Sequence, residues 1–488
     1  MRRVRLAADL SIAPVVTGLW QIADMERDGR SFDRRAAMEA LGRYVEAGLT
    51  TFDMADHYGS AEEIVGEFVA AGGRGIEILT KWVPAPGPVD RTTVREAVER
   101  SLERLRTERV DLMQFHAWSY GDPAYLDALF HLAELCEEGL IGHLGLTNFD
   151  TAHLRLVLES GIDVVSNQVS FSVLDRRAAG GMSRLCRERG VRLLAYGTLA
   201  GGLLTARQLG AADPTADELA TWSQMKYRRF IAEVGGWDAF QRLLEALDRV
   251  ARRLGVSLPQ VAARFVLDEP AVGAVIVGAR LGKSDHIAET LSMLELEIDE
   301  TGRDEIEAAC AALAPVPGDC GDEYRREPFL TASGDLSHHL DELPAPYPVE
   351  RSPGGRRRAF SATPWEEMAG YCRAVRAGDR IVVSGTTASH RDRLIGGADV
   401  ASQTHFVIDK IEGALRSLGG SLSDVVRTRI FVADAADWEA VARAHGERFA
   451  DVRPANSLVE ARLIGEEYLV EIEAEAVVGA RVEGDPGR

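Results

Sequence analysis

At 488 residues the chain is longer than the ~100–200 residues of an ordinary domain, so it reads as one large unit joined to a smaller one. With 46% hydrophobic and 27% charged residues it is neither fibrous nor disordered, and its net charge of −20 repels a phosphate backbone, which argues against nucleic acid as a partner. Its five cysteines lack CxxC spacing, so a reducing cytoplasm is the expected setting, with no metal site and no disulfide framework.

The opening residues, MRRVRLAADLSIAPVV, have neither the apolar core nor the A-x-A step of an export signal. No apolar run approaches the about 18 residues of a membrane span, so a soluble protein is expected. Short apolar or β-branched runs then predict strands at Val15–Leu19, Thr50–Met54, Ile76–Thr80, Val110–Phe115, Ile141–Leu146, Asp163–Ser166, Val191–Tyr196 and Val272–Val277. Amphipathic stretches lie between them, such as Thr92–Leu105, whose Val94, Val98, Leu102 and Leu105 share one helical face. This alternation over about 300 residues predicts a parallel sheet closed into an α/β (β/α)8 TIM barrel, whose functional side chains sit at the C-terminal strand ends. Residues 203–240 are a long insertion after the seventh strand, where a loop can cover a cofactor or select substrate, although its Pro, Asp and Thr content equally suits a plain surface loop.

Past Leu313 the pattern breaks into a stretch rich in Pro, Gly and charge, whose Arg356–Arg358 run reads as a solvated linker element. Beyond it come strand-like YCRAVRAG and RIVVSG, a helix over Val400–Leu418, a strand at Val425–Val432, a helix near Trp438–Phe449, and strands near Ser457–Leu463 and Tyr468–Val478. That order predicts a small α+β domain with helices on one sheet face. The expected partition is a barrel over 1–315, a linker and barrel tail over 316–358, and the second domain over 359–488.

Four polar residues arrive at barrel strand ends: Asp53 and Tyr58 in TFDMADHYGSAEE, Lys81 in ILTKW, and His116 in DLMQFHAW. A tyrosine with a pKa near ~10 is a poor acid at neutral pH unless a nearby ammonium stabilises its phenolate. Lys81 supplies that charge, Asp53 holds Lys81, and His116 orients a substrate oxygen beside Tyr58, which together make an acid for carbonyl reduction. With these residues in this order, 1–315 resembles the aldo-keto reductase family, through TFDMADHYG, GLTNFD, SNQVSFS and AYGTLAGGLL.

The resemblance makes the four a catalytic tetrad and implies a nicotinamide cofactor bound without a Rossmann fold. It gives Asn148 and Gln168 the nicotinamide carboxamide, stacks Tyr196 on the ring, and runs the pyrophosphate past Gly197, Leu199 and Gly201. Near the last strand it assigns Gly278, Arg280, Lys283, Ser284, His286 and Glu289 to the adenosine end, with Arg280, Lys283 and Ser284 around a 2′-phosphate, so NADPH is expected and NADH is the alternative. His286 and Thr290 stand where many members carry Arg and Asn. From position alone, Trp20, Trp82 and Trp118 are expected to wall the substrate pocket.

The C-terminal residues 359–482 resemble the Rid family of enamine/imine deaminases (YjgF-like, with a chorismate-mutase-like α+β fold), through IVVSGTTA, DVVRTRIFVAD, DVRPANSLVEARL and LVEIEAEAV. The resemblance implies a homotrimer with sites between subunits, an arginine for the substrate carboxylate and a glutamate for water, which Glu471 matches. Asn456 stands where active members carry that arginine. Arg453 lies three residues earlier, so on a strand it faces away from Asn456. The expected function is NADPH-dependent reduction of an aldehyde, ketone or imine, with the Rid-like domain oligomerising the chain or holding an intermediate. A nicotinamide-binding redox sensor and a bifunctional reductase and deaminase are the alternatives.

Overall fold

The computed structural model describes residues 3–26, 33–326, 338–341 and 343–479. Eight strands close into a parallel barrel in chain order: β1 (Val15–Gly18), β2 (Thr51–Asp53), β3 (Glu77–Trp82), β4 (Val110–Phe115), β5 (Ile141–Thr147), β6 (Ser166–Ser170), β7 (Arg192–Tyr196) and β8 (Val272–Gly278), with β8 pairing back onto β1. The helix expected after β3 runs Arg91–Leu105, capped by Asp90, whose side chain accepts from Thr93 N, and its Val94, Val98, Leu102 and Leu105 are buried.

One strand corrects the sequence reading. The sixth was expected at Asp163–Ser166 and lies instead at Ser166–Ser170, because its residues Asn167 and Gln168 are polar yet wholly interior. Hydrogen bonds across the barrel satisfy them, and apolar patterning cannot see such bonds. The floor of the barrel is apolar: Leu6 and Leu10 pack with Leu79, Leu112, Leu194 and Ala274, closing the end opposite the loops that carry function.

The second domain is a seven-stranded sheet built from β9 (Val349–Arg351), β10 (Arg357–Ala359), β11 (Ala374–Ala377), β12 (Arg380–Thr386), β13 (Val425–Val432), β14 (Ala455–Glu460) and β15 (Val470–Val477). Its order is β9-β10-β11-β12-β15-β13-β14, antiparallel except for the β13–β14 pair. The β9–β10 hairpin takes Arg356–Arg358 and neighbouring residues, assigned above to the linker, into this sheet, with Arg357 opposite Arg376. One face of the sheet is covered by helices. The other leaves Val382, Val426 and Val459 exposed.

The two domains meet through helix α1 (Thr151–Glu159) of the barrel; the insertion carries α2 (Trp222–Glu233), and the second domain supplies α3 (Val400–Ser417) and α4 (Trp438–Phe449). At the contact, His153 sits between two carboxylates. Its Nδ1 is 2.7 Å from Asp150 Oδ1 and its Nε2 is 3.0 Å from Asp409 Oδ2 on α3, which also pairs with Arg448 of α4. The Tyr120 ring stacks on the imidazole at 3.4 Å. His390 and Arg391 of the second domain both reach Asp127 of the barrel. Among the described residues no helix is long and apolar enough to cross a membrane.

Candidate active site

Asp53 is the last residue of β2, Lys81 lies near the end of β3, and His116 follows β4, so adjacent parallel strands deliver the three side chains to one mouth of the barrel. Lys81 Nζ is 2.6 Å from Asp53 Oδ2 and donates to Met54 O at 3.0 Å. The other carboxylate oxygen accepts from Gln114 Nε2 at 3.0 Å and Gln168 Nε2 at 2.8 Å. Tyr58, on the loop after β2, places its ring over the ammonium, with Nζ 4.9 Å from the ring centroid.

Burial, reinforced by the Asp53 charge, holds the Tyr58 phenol well above its usual pKa. Enclosure sets the resting state, in which the proton stays on the phenol, while Lys81 stands 4.9 Å from the ring centroid, on the side where charge would form on proton release. Burial lowers the Lys81 pKa, against the pull of Asp53. His116 is pushed far below its usual range by burial and by the Arg325 cation, so it is a neutral imidazole. Its ring nitrogens make no well-formed hydrogen bond among the described residues, the Thr147 backbone approaching only loosely. The arrangement is a protonated phenol and a neutral imidazole facing one cavity, with an ion pair behind the phenol.

That cavity, about 660 Å³, is lined at one end by Trp20, Tyr58, His116 and Trp118, and at the other by Arg280, Ser284, His286 and Glu289. Asn148, Gln168, Tyr196, Gly197, Leu199, Gly201 and Gly278 line it between. Gly197 and Gly201 have φ of +75° and +65°, and a Cβ on Gly197 would lie 2.0 Å from Tyr227 Oη, so both backbone and space require glycine there. Lys283 is exposed outside the lining residues. Trp82 departs from expectation: it packs on Phe115 at 5.6 Å within the core. It follows Lys81 on β3, and because Lys81 faces inward the next side chain must face the helices.

Sequence reasoning placed the insertion over the site but named none of its residues, and it missed the tail after the barrel. Helix α2 of the insertion lays Trp222 against Trp20, ring centroids 5.4 Å apart, and points Lys226 into the site. The tail after the barrel returns Tyr324 to within 5.4 Å of the His116 ring, and the Arg325 Nη1 donates to Asn148 O at 2.7 Å. The insertion's helix shows itself in Tyr227, Phe230 and Ile231 on one face, but nothing local says that its Lys226 or the distant Tyr324 reaches the barrel mouth.

In the second domain Arg453 and Asn456 come together and Glu471 stands apart. Asn456 donates to Thr428 Oγ1 at 2.9 Å and lines a cavity of about 430 Å³ with His445, Phe449 and Arg453. Arg453 precedes β14 and turns left-handed, φ +49°, so it shares the cavity with Asn456, contrary to the strand-based expectation. Glu471 pairs with Phe431 on β13, whereas Asn456 pairs with Thr428, three residues away, so the two side chains leave opposite faces of the sheet. Burial raises the Glu471 pKa, and the cation acting on it is the buried Arg373, which bonds Gly385 O at 2.8 Å.

Residues 14–311 match the family model described as the aldo/keto reductase family, and residues 362–478 match the one described as endoribonuclease L-PSP. The Escherichia coli protein tas is 30% identical over 307 residues, covering 54% of this chain and 86% of tas. The Streptomyces coelicolor protein SCO2049 is 42% identical over 125 residues, covering 25% of this chain and 93% of its own. The solved glycerol dehydrogenase AKR11B4 of Gluconobacter oxydans covers 65% of this chain and 97% of itself, with a TM-score of 0.54 and 21% identity, a likeness of fold.

Proposed function

The chain belongs to the aldo/keto reductase family and ends in a Rid-family domain, and from there we propose that this oxidoreductase uses NADPH to reduce an aldehyde, ketone or imine, with Tyr58 as the proton donor. The observation that carries the reading is the protonated Tyr58 phenol held over the Lys81–Asp53 ion pair and beside a neutral His116. His116 hydrogen-bonds the substrate oxygen and aims it at Tyr58; the phenol gives up its proton as that oxygen gains charge; the Lys81 ammonium then stabilises the phenolate. When bound, the reduced nicotinamide supplies hydride. The aromatic wall of Trp20, Trp118 and Trp222 excludes water from the reacting centre. Screening NADPH and NADH oxidation against aldehydes, ketones and cyclic imines tests the proposal, and no turnover with any of them would overturn it.

The residues fit a dinucleotide: one cavity is lined by Tyr58 and His116, by Arg280 and Ser284, and by the Asn148 and Gln168 amides, Gln168 bonding Asp53. Replacing both Arg280 and Lys283 by alanine is expected to weaken NADPH binding at least about tenfold and to spare NADH, because charge-assisted hydrogen bonds of about 1.5–3 kcal/mol act on the 2′-phosphate alone. Binding titrations check this, and equal losses for both cofactors would assign the loop a structural role.

We further propose that the Rid-family domain assembles the chain as a trimer through the open sheet face of Val382, Val426 and Val459, and hydrolyses no carboxylate-bearing imine. Asn456 lacks the guanidinium fork that a carboxylate requires, and Glu471 lies on the other face. The full chain should scatter light as a trimer and leave 2-iminopropionate hydrolysis at its uncatalysed rate; a monomer, or rapid hydrolysis, would refute the corresponding half.

A further inference from the structure

Resting on the nicotinamide reading above, we propose that Lys226, acting through Tyr324 and Tyr196, sets the orientation of the Asn148 amide, so that its Nδ2 faces the cavity to donate to the cofactor's carboxamide oxygen while Gln168 Oε1 accepts from the carboxamide nitrogen. The oxygen and nitrogen of a side-chain amide have nearly the same shape, so hydrogen-bond partners alone decide which way it turns.

At one end of this network stands a group that only donates. Lys226 Nζ is 2.7 Å from Tyr324 Oη and 3.3 Å from Tyr196 Oη, and the two phenol oxygens are 3.2 Å apart. A phenol has one proton to give and two lone pairs to receive. Where Tyr324 gives its proton to the Tyr196 oxygen and Lys226 fills the other lone pair, only the Tyr196 proton remains to be given. The nearest acceptor is Asn148 Oδ1 at 2.8 Å, ahead of Glu323 Oε1 at 3.2 Å. An inverted Asn148 would press its NH2 against a filled oxygen beside an ammonium. Its Oδ1 therefore points to Tyr196, and Nδ2, which bonds no described residue, is left for the cavity that Asn148 lines.

At the other end stands a group that only accepts. Asp53, ion-paired to Lys81, takes Gln168 Nε2 at 2.8 Å, and the same nitrogen gives its other proton to Gln114 Oε1 at 2.8 Å. Gln168 Oε1 is what remains. A cation at one end and an anion at the other thus present one donor and one acceptor, the complement of a primary carboxamide.

Lys226 keeps its charge against burial because the Tyr324, Tyr227 and Glu323 groups around it raise its pKa. The main chain of Asn148 is gripped from the same side: Arg325 donates to its carbonyl, and Gly321 lies so close that a Cβ would come within 1.9 Å of that oxygen. Tyr324, Arg325 and Gly321 all lie beyond residues 14–311, so the segment leading to the second domain completes the barrel's site.

The test is cofactor affinity, read from quenching of tryptophan fluorescence by NADPH and NADH without substrate. Tyr324→Phe keeps every charge and is expected to weaken both cofactors about tenfold, the worth of a mis-set amide hydrogen bond, raising the cofactor KM more than it lowers kcat. Lys226→Met should do the same and Lys226→Arg should restore most of the affinity. In an Asn148→Ala background, Tyr324→Phe should have no further effect, since it acts through that amide. Wild-type affinity in Tyr324→Phe, or an equal loss with and without Asn148, would overturn the inference. Failure of the wild-type chain to bind either dinucleotide would instead overturn the functional reading on which it rests.

Discussion

Replacing Tyr58 by phenylalanine is expected to lower turnover by ~10²–10⁴ and leave cofactor affinity unchanged, because it deletes the proton and little else. The ring stays in place against Trp20, 5.0 Å between centroids, so the cavity keeps its shape. Two features of the wild-type site predict its pH behaviour. Tyr58 releases its proton only well above pH 10 and His116 gains one only well below pH 6.5. Neither titrates between about pH 7 and 9, so the rate of reduction should be flat across that range. Steady-state kcat with a good carbonyl substrate, alongside a cofactor titration, checks both parts. Near wild-type turnover in Tyr58→Phe would remove Tyr58 from the mechanism.

Replacing His153 by leucine is expected to destabilise the contact between the domains by about 3–5 kcal/mol, the usual cost of breaking a buried ion pair. The change leaves Asp150 with only the backbone N–H of residue 153, which it caps, and Asp409 with Arg448. The wild-type interface should itself depend on pH. Burial opposes the imidazolium, but Asp150 and Asp409 win and raise its pKa from 6.5 to about 9. A folded-state pKa above the unfolded one means that this stabilisation is complete below pH 6.5 and is lost as pH rises through about 9. Asp409 behaves oppositely. Its pKa is lowered, so its contribution holds above its usual value of 3.8 and fades at lower pH. Urea unfolding of wild type and His153→Leu should therefore differ most between about pH 5 and 7 and converge above about pH 9. Coincident curves at pH 7 would show that the clasp carries no stability.

The cluster of Asp53, Tyr58, Lys81 and His116 was legible in the sequence because each member belongs to a local signal. Asp53, Lys81 and His116 sit at the ends of apolar runs, and in a parallel barrel every such end points to the same mouth, so finding the runs also locates the residues. The sixth strand failed by the same rule: Asn167 and Gln168 are inside, and what makes that tolerable is bonds to partners such as Asp53, 115 residues away. Trp82 could have been placed correctly, since it follows an inward Lys81 and successive strand residues alternate. Asn456 and Glu471 could not, because their faces depend on which residues of β13 they pair with, and pairing register is a property of the assembled sheet.

Composition, strand and helix periodicity and the spacing of Asp53, Tyr58, Lys81 and His116 specified a barrel, a second α+β domain and the residues gathered at the mouth of the first, because those features depend on interactions within a few residues and on a repeat that the chain imposes on itself. The proton state of Tyr58, the neutrality of His116, the placement of Lys226 and Tyr324 about Asn148 and the His153 clasp waited on the folded molecule. Each depends on burial or on a partner far along the chain, as Tyr324 lies 128 residues from Tyr196 and Asp409 lies 256 from His153. Desolvation and long-range hydrogen bonds exist only once the chain has closed around them.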